Sequence, residues 1–102
     1  MTDSRLKEIS VNDIMQVQWK VHDQAIESRV GDETVILHLE NGTYFGLDPI
    51  GTRIWELLKE SKGPFAICDA LAEEFDAPLD KVTDDLRTLL NELKGNNLLI
   101  AS

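Results

Sequence analysis

The stretch LENGTYFGLDPIG, residues 39–51, combines a turn, a short aromatic strand and a helix start. Asn41-Gly42 lies between two runs of β-forming residues, and such a pair favours a two-residue type I′ turn, because both central residues need positive φ. Asp48 followed by Pro49 is typical of a helix N-terminus, where aspartate caps and proline occupies the first helical position. The stretch therefore predicts a hairpin that leads directly into a helix.

A second turn signal, Gly31-Asp32, precedes this hairpin and extends it to a three-stranded antiparallel meander. The predicted strands are Ala25–Val30, 34–40 and 43–47. A two-residue loop at Asn41-Gly42 sets Ile36 opposite Leu47 and Leu39 opposite Tyr44. This pairing places Val35, Leu37, Leu39 and Tyr44 on one face of the sheet, and Ile36, His38, Phe45 and Leu47 on the other. We expect the first of these faces to be the core.

Three helices are predicted after the meander, which gives an α+β, winged-helix-like fold with an N-terminal sheet and a three-helix bundle. Pro49, Pro64 and Leu79 mark the three starts, and the apolar spacing of each segment is helical. The third helix is expected to end at Gly95, with Leu98 or Ile100 packed back on the core. Residues 1–24 are predicted to form an N-terminal arm, or an additional strand where Val17, Trp19 and Val21 alternate, and residues 25–102 the domain.

Composition excludes several classes of function. The chain has 102 residues, of which 19 are acidic and 10 basic, so its formal charge of −9 repels phosphate backbones and anionic lipid. Its apolar runs are too short for a membrane span or a signal peptide, and its single cysteine, Cys68, has no internal disulfide partner. We therefore expect a cytoplasmic protein that binds neither nucleic acid nor membrane.

The third predicted strand, residues 43–47, forms an edge of the meander. Edge strands usually carry lysine, proline or a bulge that blocks pairing with another chain, and TYFGL has none of these. Either another element covers this edge, or it stays open for a visiting strand. In strand addition the backbone supplies affinity and the side-chain pockets supply selectivity.

Several segments together resemble the PqqD-like family, the peptide-recognition elements of ribosomally made, modified peptides. They are VILHLENGTYFGLDPIGTRIWELL, ALAEEF and LLNELKGNNLL, and the similarity covers residues 26–100. It is greatest to the stand-alone recognition proteins of lasso-peptide gene clusters, which implies an adaptor that presents the leader of a precursor peptide to a leader peptidase and a cyclase. In that family the leader adds to the third strand against the third helix. The resemblance implies a strand wall and a helix wall: Thr43, Tyr44, Phe45, Gly46 and Leu47, and Val82, Asp85, Leu86 and Leu89.

Other functions find less support in the sequence. No phosphate-binding glycine loop or nucleophile motif is present, so we expect a non-enzyme without cofactors. His22, His38 and Cys68 match no metal-ligand spacing, and Cys68 is expected in the core. The alternative is a winged-helix DNA-binding regulator, although the predicted third helix is more acidic than basic. Both a monomer and a homodimer paired through edge strands remain open.

Overall fold

The structure, a computed structural model, describes residues 13–102. Its first element is a short 3-10 helix over Ile14–Gln16, and the other elements follow in chain order. The strands are β1 (Trp19–Val21), β2 (Ala25–Val30), β3 (Glu33–His38), β4 (Tyr44–Leu47) and β5 (Leu99–Ala101), and the helices are α1 (Pro49–Lys59), α2 (Pro64–Glu74) and α3 (Leu79–Gly95). The predicted α+β fold, an antiparallel sheet of β2, β3 and β4 followed by three helices, is confirmed.

The register between β3 and β4 differs from the prediction by two residues. Ile36 pairs with Phe45 and Thr34 with Leu47, because the loop is longer than two residues. The Asn41 side chain accepts hydrogen bonds from both the backbone N–H and the hydroxyl of Thr43, which stabilises a wider turn. Only Gly42 of the Asn-Gly pair takes a positive φ, so the type I′ turn is not formed. The Gly31-Asp32 hairpin, by contrast, has the predicted two-residue loop.

The core face of the sheet is the opposite of the predicted one. The two predicted sets of side chains do lie on opposite faces of the sheet. Ile36 and Leu47, however, are buried, whereas Leu39 and Tyr44 are exposed. Both faces are rich in apolar residues, so composition did not decide between them. The inward face tolerates His38 because its Nδ1 accepts the N–H of Glu40.

Helix α1 begins where the Asp-Pro pair predicts. The Asp48 carboxylate accepts the Gly51 N–H at 2.7 Å, and Pro49 is the first helical residue. Trp55 of this helix is almost fully buried, and its indole N–H donates to Glu27 of β2 at 2.7 Å. This contact fixes the helix against the inner face of the sheet.

Helices α2 and α3 complete the three-helix bundle that α1 begins. Cys68 is buried in α2, as predicted, and the apolar side of α3 buries Val82, Leu86, Leu90 and Leu93. Phe75 follows Ile67 and Leu71 at a spacing of four residues, yet it is 42% exposed just beyond the helix. Over residues 13–102 no helix is both long and apolar enough to cross a membrane.

The two ends of the described chain pair with each other. β1 is the additional strand that Val17, Trp19 and Val21 predicted, and it pairs antiparallel with β5. Trp19 is buried, and Leu98 rather than Ile100 packs into the core. The division at residue 24 stays a prediction, and the first twelve residues of the predicted arm lie outside the described part.

Candidate functional site

One edge of the three-stranded sheet is formed by β4, and within residues 13–102 no other strand covers its outer side. The His38 N–H donates to the Thr43 carbonyl, so the alternation of an antiparallel ladder directs the backbone groups of Phe45 and Leu47 toward β3. The N–H and C=O groups of Tyr44 and Gly46 consequently point away from the sheet. Among the described residues, no strand pairs with this side of β4.

A groove of about 430 Å³ lies beside this edge, between β4, the first turns of α1 and one side of α3. Its apolar contacts come from Phe45, Leu47, Ile50, Ile54 and Leu89. Polar groups also line it: Asp48, Asp85, Thr88 and Glu92. An extended peptide at the β4 edge would therefore lie between the sheet and the third helix.

The predicted strand wall is divided by the pleat of β4. Phe45, Gly46 and Leu47 line the groove. The side chain of Tyr44 is 74% exposed on the outer face of the sheet, while its backbone N–H and C=O groups point outward at the edge of β4. Thr43 lies in the loop before the strand, held by the Asn41 side chain. The structure thus brings these five residues to one edge but gives them different surroundings.

The predicted helix wall is divided in the same way. Asp85 and Leu89 line the groove, and Val82 lines a small neighbouring pocket that shares Ile50 and Asp85 with it. Leu86 is fully buried behind the groove. Sequence reasoning missed Thr88 and Glu92, although the helical spacing from Asp85 and Leu89 places them on the same side.

The groove is predominantly acidic. Asp48, Asp85 and Glu92 line it, and Asp85 pairs with a cation of the same helix, since Lys81 Nζ lies 3.3 Å from Asp85 Oδ2. Both side chains of that pair are more than half exposed, so the pair is readily exchanged for another partner. A basic side chain beside the apolar anchors of a peptide would be attracted here.

The structure also brings together His22, His38 and Glu40, with one ligand atom of each within 4.8 Å of the others. The Nδ1 atoms of His22 and His38 each accept a backbone N–H, from Gln24 and Glu40. The neutral rings therefore carry their protons on Nε2, whereas a metal bound at Nε2 would require the proton on Nδ1. Metal binding would disrupt both hydrogen bonds, and the expected absence of a metal site stays a prediction.

Comparisons with known proteins agree on one family. The model of the family described as "Coenzyme PQQ synthesis protein D (PqqD)" matches residues 33–99. A solved structure described as "TbiB1 in Complex with the TbiA(beta) Leader Peptide" is 45% identical, with a TM-score of 0.75 over 78% of this chain and 93% of that one. A second, "Lasso peptide synthetase B1 complexed with the leader peptide", is 18% identical, with a TM-score of 0.74 over 81% and 98%, and shows the shared fold. No curated protein matches the sequence.

Proposed function

Since this chain belongs to the PqqD family, we propose that it binds the leader segment of a ribosomally made precursor peptide and presents it to processing enzymes. One observation carries the proposal: the open edge of β4 borders a groove that α3 closes on its other side. The 45% identical TbiB1 supports it, because that protein was solved with a leader peptide. The expected family resemblance is thereby confirmed.

The leader binds by adding a strand to β4. Tyr44 and Gly46 offer two N–H and two C=O groups on alternate residues, the pattern that an antiparallel or parallel partner needs. Apolar leader side chains that point inward contact Phe45, Ile50 and Leu89, and basic ones meet Asp85 or Glu92. Backbone pairing supplies affinity that depends little on sequence, while these side chains supply selectivity.

The protein acts as an adaptor rather than an enzyme. By holding the precursor beside a leader peptidase and a cyclase, it raises the effective concentration of substrate without contacting the scissile bond. The second solved relative is described as a lasso peptide synthetase B1, and the proposed pathway is the biosynthesis of a lasso peptide. This role needs no cofactor.

DNA binding, the alternative raised by a winged-helix-like fold, receives no support from α3. Lys81 pairs with Asp85 of the same helix, and Arg87 pairs with Asp13. A recognition helix needs cations directed at phosphates and base edges, and the groove side of α3 presents Asp85 and Glu92 instead. The charge of this surface favours a peptide.

Titration of a fluorescent leader by anisotropy tests the proposal. Wild-type protein is expected to bind without metal or nucleotide. Tyr44→Pro deletes one outward N–H, and it should weaken binding about tenfold relative to Tyr44→Ala, which keeps the N–H and removes the same side chain. Thermal unfolding must show that both variants are folded at the temperature of the titration. Absence of binding by the wild type, or equal affinities of the two variants, would refute strand addition at β4.

A further inference from the structure

Gly46 is a glycine that the fold does not require. Gly31 and Gly42 take positive φ in turns, whereas Gly46 lies within β4 and does not. A Cβ atom at this position would meet no atom of residues 13–102 within 4 Å. Glycine weakens a strand, because it adds no side-chain contacts and loses more backbone freedom on folding than other residues. Its presence in the middle of this short strand therefore requires another explanation.

The missing side chain opens the outer face of the sheet beside the β4 edge. The register pairs Gly46 with Val35, so both residues lie on the face opposite the core. A concavity of about 480 Å³ includes both and extends to the end of the sheet, where Val30 and Glu33 form the last pair of β2 and β3. Val35 is 39% exposed at its floor. The strand edge thus borders a second space, on the face away from the leader groove.

Tyr44 lies beside this space. It precedes Gly46 by two residues and therefore points to the same face, and its side chain is 74% exposed. The gap over Gly46 consequently has an apolar floor and a neighbouring aromatic ring. Such a gap suits another ring, since an aromatic side chain of an adjacent strand covers an edge glycine and packs favourably against nearby aromatic residues.

A strand added to β4 sends every second side chain to the outer face. The outward N–H and C=O groups of Gly46 pair with the incoming strand, and residues opposed across paired strands share a face of the sheet. The residues before and after the one opposite Gly46 point the other way, toward Phe45 and the groove. Backbone pairing at β4 therefore determines that one leader side chain lies over Gly46.

We infer that Gly46 determines specificity, because the space over it accepts an aromatic side chain of the leader beside Tyr44 and Val35. This inference rests on the proposed function and adds the chemical class of one leader residue. The groove selects apolar and basic side chains on one face of the bound strand, and the gap at Gly46 selects a ring on the other. A matching leader carries this aromatic residue between two residues that face the groove.

A second copy of this chain is a poorer occupant of the same edge. Two copies paired through β4 would bring together two grooves that are each lined by Asp48, Asp85 and Glu92, in a chain of net charge −9. Like charges at an interface oppose association. An uncharged ring on a leader strand enters the gap without this repulsion.

Anisotropy titration of a fluorescent leader with three variants tests the inference. Gly46→Val fills the gap but keeps the backbone N–H, and it should weaken leader binding about tenfold because the ring is displaced. Gly46→Ala fills less of the gap and should have a smaller effect. Ser28→Val is the matched control, since Ser28 is exposed in the same row of the outer face but is separated from β4 by β3. It should change leader affinity less than about twofold.

Thermal unfolding separates this role from a structural one. Valine favours strands, and its Cβ has space at position 46, so Gly46→Val should unfold at the wild-type temperature or above it. Weaker leader binding by a variant of unchanged or increased stability is the expected result. Reduced stability of both Gly46→Val and Gly46→Ala would show that the fold needs this glycine, and wild-type leader affinity of Gly46→Val would show that the gap is not used. Either result overturns the inference.

Alanine variants of the leader identify the ring. Replacing one aromatic leader residue should weaken binding to the wild-type protein about tenfold but binding to Gly46→Val much less, since the site of the ring is already filled. Coupling of Gly46→Val to an aliphatic or charged leader residue, or to none, overturns the aromatic site and leaves strand addition at β4 intact. A wild-type dimer that Gly46→Val converts to a monomer in sedimentation velocity overturns it as well. Absence of leader binding by the wild type refutes the proposed function itself.

Discussion

The two edges of the sheet are built differently. The edge strand β2 carries charges within the strand, and α1 neutralises them: Arg29 Nη1 lies 2.8 Å from Glu56, and Glu27 lies 2.9 Å from Lys59. The edge strand β4 has the sequence YFGL, with no charge, and faces a groove. One edge is tied to a helix by ion pairs, whereas the other, in the part of the chain that the structure describes, presents backbone groups without a strand partner beside apolar side chains.

This difference shows how a small sheet can bind a strand without aggregating. Charged residues within an edge strand discourage pairing with other chains, and β2 has them. At β4 the neighbouring α3 narrows the approach, so a visiting strand must also fit the groove. Specificity then comes from the groove, and protection of the other edge comes from charge.

The largest expected effect is on stability, and it distinguishes the N–H groups of β4 that point toward β3 from those that point outward. The N–H of Phe45 points toward β3 and that of Tyr44 toward the groove edge. Phe45→Pro deletes a hydrogen bond within the sheet and leaves its acceptor unsatisfied, so it should cost up to about 3 kcal/mol in the free energy of unfolding. Tyr44→Pro, at the first residue of the strand, should cost much less and affect leader binding instead. Urea denaturation of both variants measures this, and equal losses would contradict the assigned ladder.

The second prediction concerns the β2 edge. Glu27 accepts the buried indole N–H of Trp55, so Glu27→Ala leaves a buried donor unsatisfied and should cost about 2 kcal/mol. Glu27→Gln retains an acceptor and should cost less, since it loses mainly the Lys59 pair. Urea denaturation compares the two, and leader affinity should stay unchanged in both. A change of affinity would show that the two edges are coupled.

The sequence predicted the elements well, because their signals are local. Asp48-Pro49 marks the start of α1, and Gly31-Asp32 forms the predicted hairpin. The register at Asn41-Gly42 was wrong by two residues, since the Asn41 side chain stabilises a longer loop that dipeptide preference does not reveal. The predicted core face was wrong because the face on which α1 packs determines which side of the sheet is buried, and this long-range contact is not encoded in the strand sequences.

The groove could be predicted only in part. The family resemblance identified β4 and α3, and helical spacing would have added Thr88 and Glu92 to Asp85 and Leu89. Ile50 shares the helical spacing of the buried Ile54 in α1, yet it is 40% exposed and lines the groove. Whether an apolar residue faces a core or a cleft depends on how neighbouring helices pack, which the sequence of one helix does not contain.

Hydrogen exchange sharpens the comparison of the edges further. On addition of leader, the amides of Tyr44 and Gly46 should exchange about tenfold more slowly, a change of about 1.4 kcal/mol in opening free energy. Those of Phe45 and Leu47, already bonded to β3, should change less. The outward amides of β2 serve as the control within the same spectrum. Protection confined to α1 and α2 would contradict binding at β4.

The smallest expected effect is a pH dependence of the ion pairs that tie β2 to α1. Hydrogen bonding from Arg29, and then from Arg53, holds the pKa of Glu56 below its usual range. The unfolded chain therefore binds more protons than the folded one near the ordinary glutamate pKa of about 4.3, so stability from this group is present above that pH and is lost as pH falls through the lowered pKa.

Glu56→Gln isolates this contribution from the titration of the other acidic residues. The side chain of Glu56 is about one third exposed, so screening limits the difference in unfolding free energy to less than about 1 kcal/mol at pH 7. Urea denaturation of wild type and Glu56→Gln between pH 7 and about pH 3 should show this difference shrinking as acid protonates the wild-type carboxylate. A difference that stays constant over this range would mean that Glu56 stabilises the β2 edge through packing rather than charge.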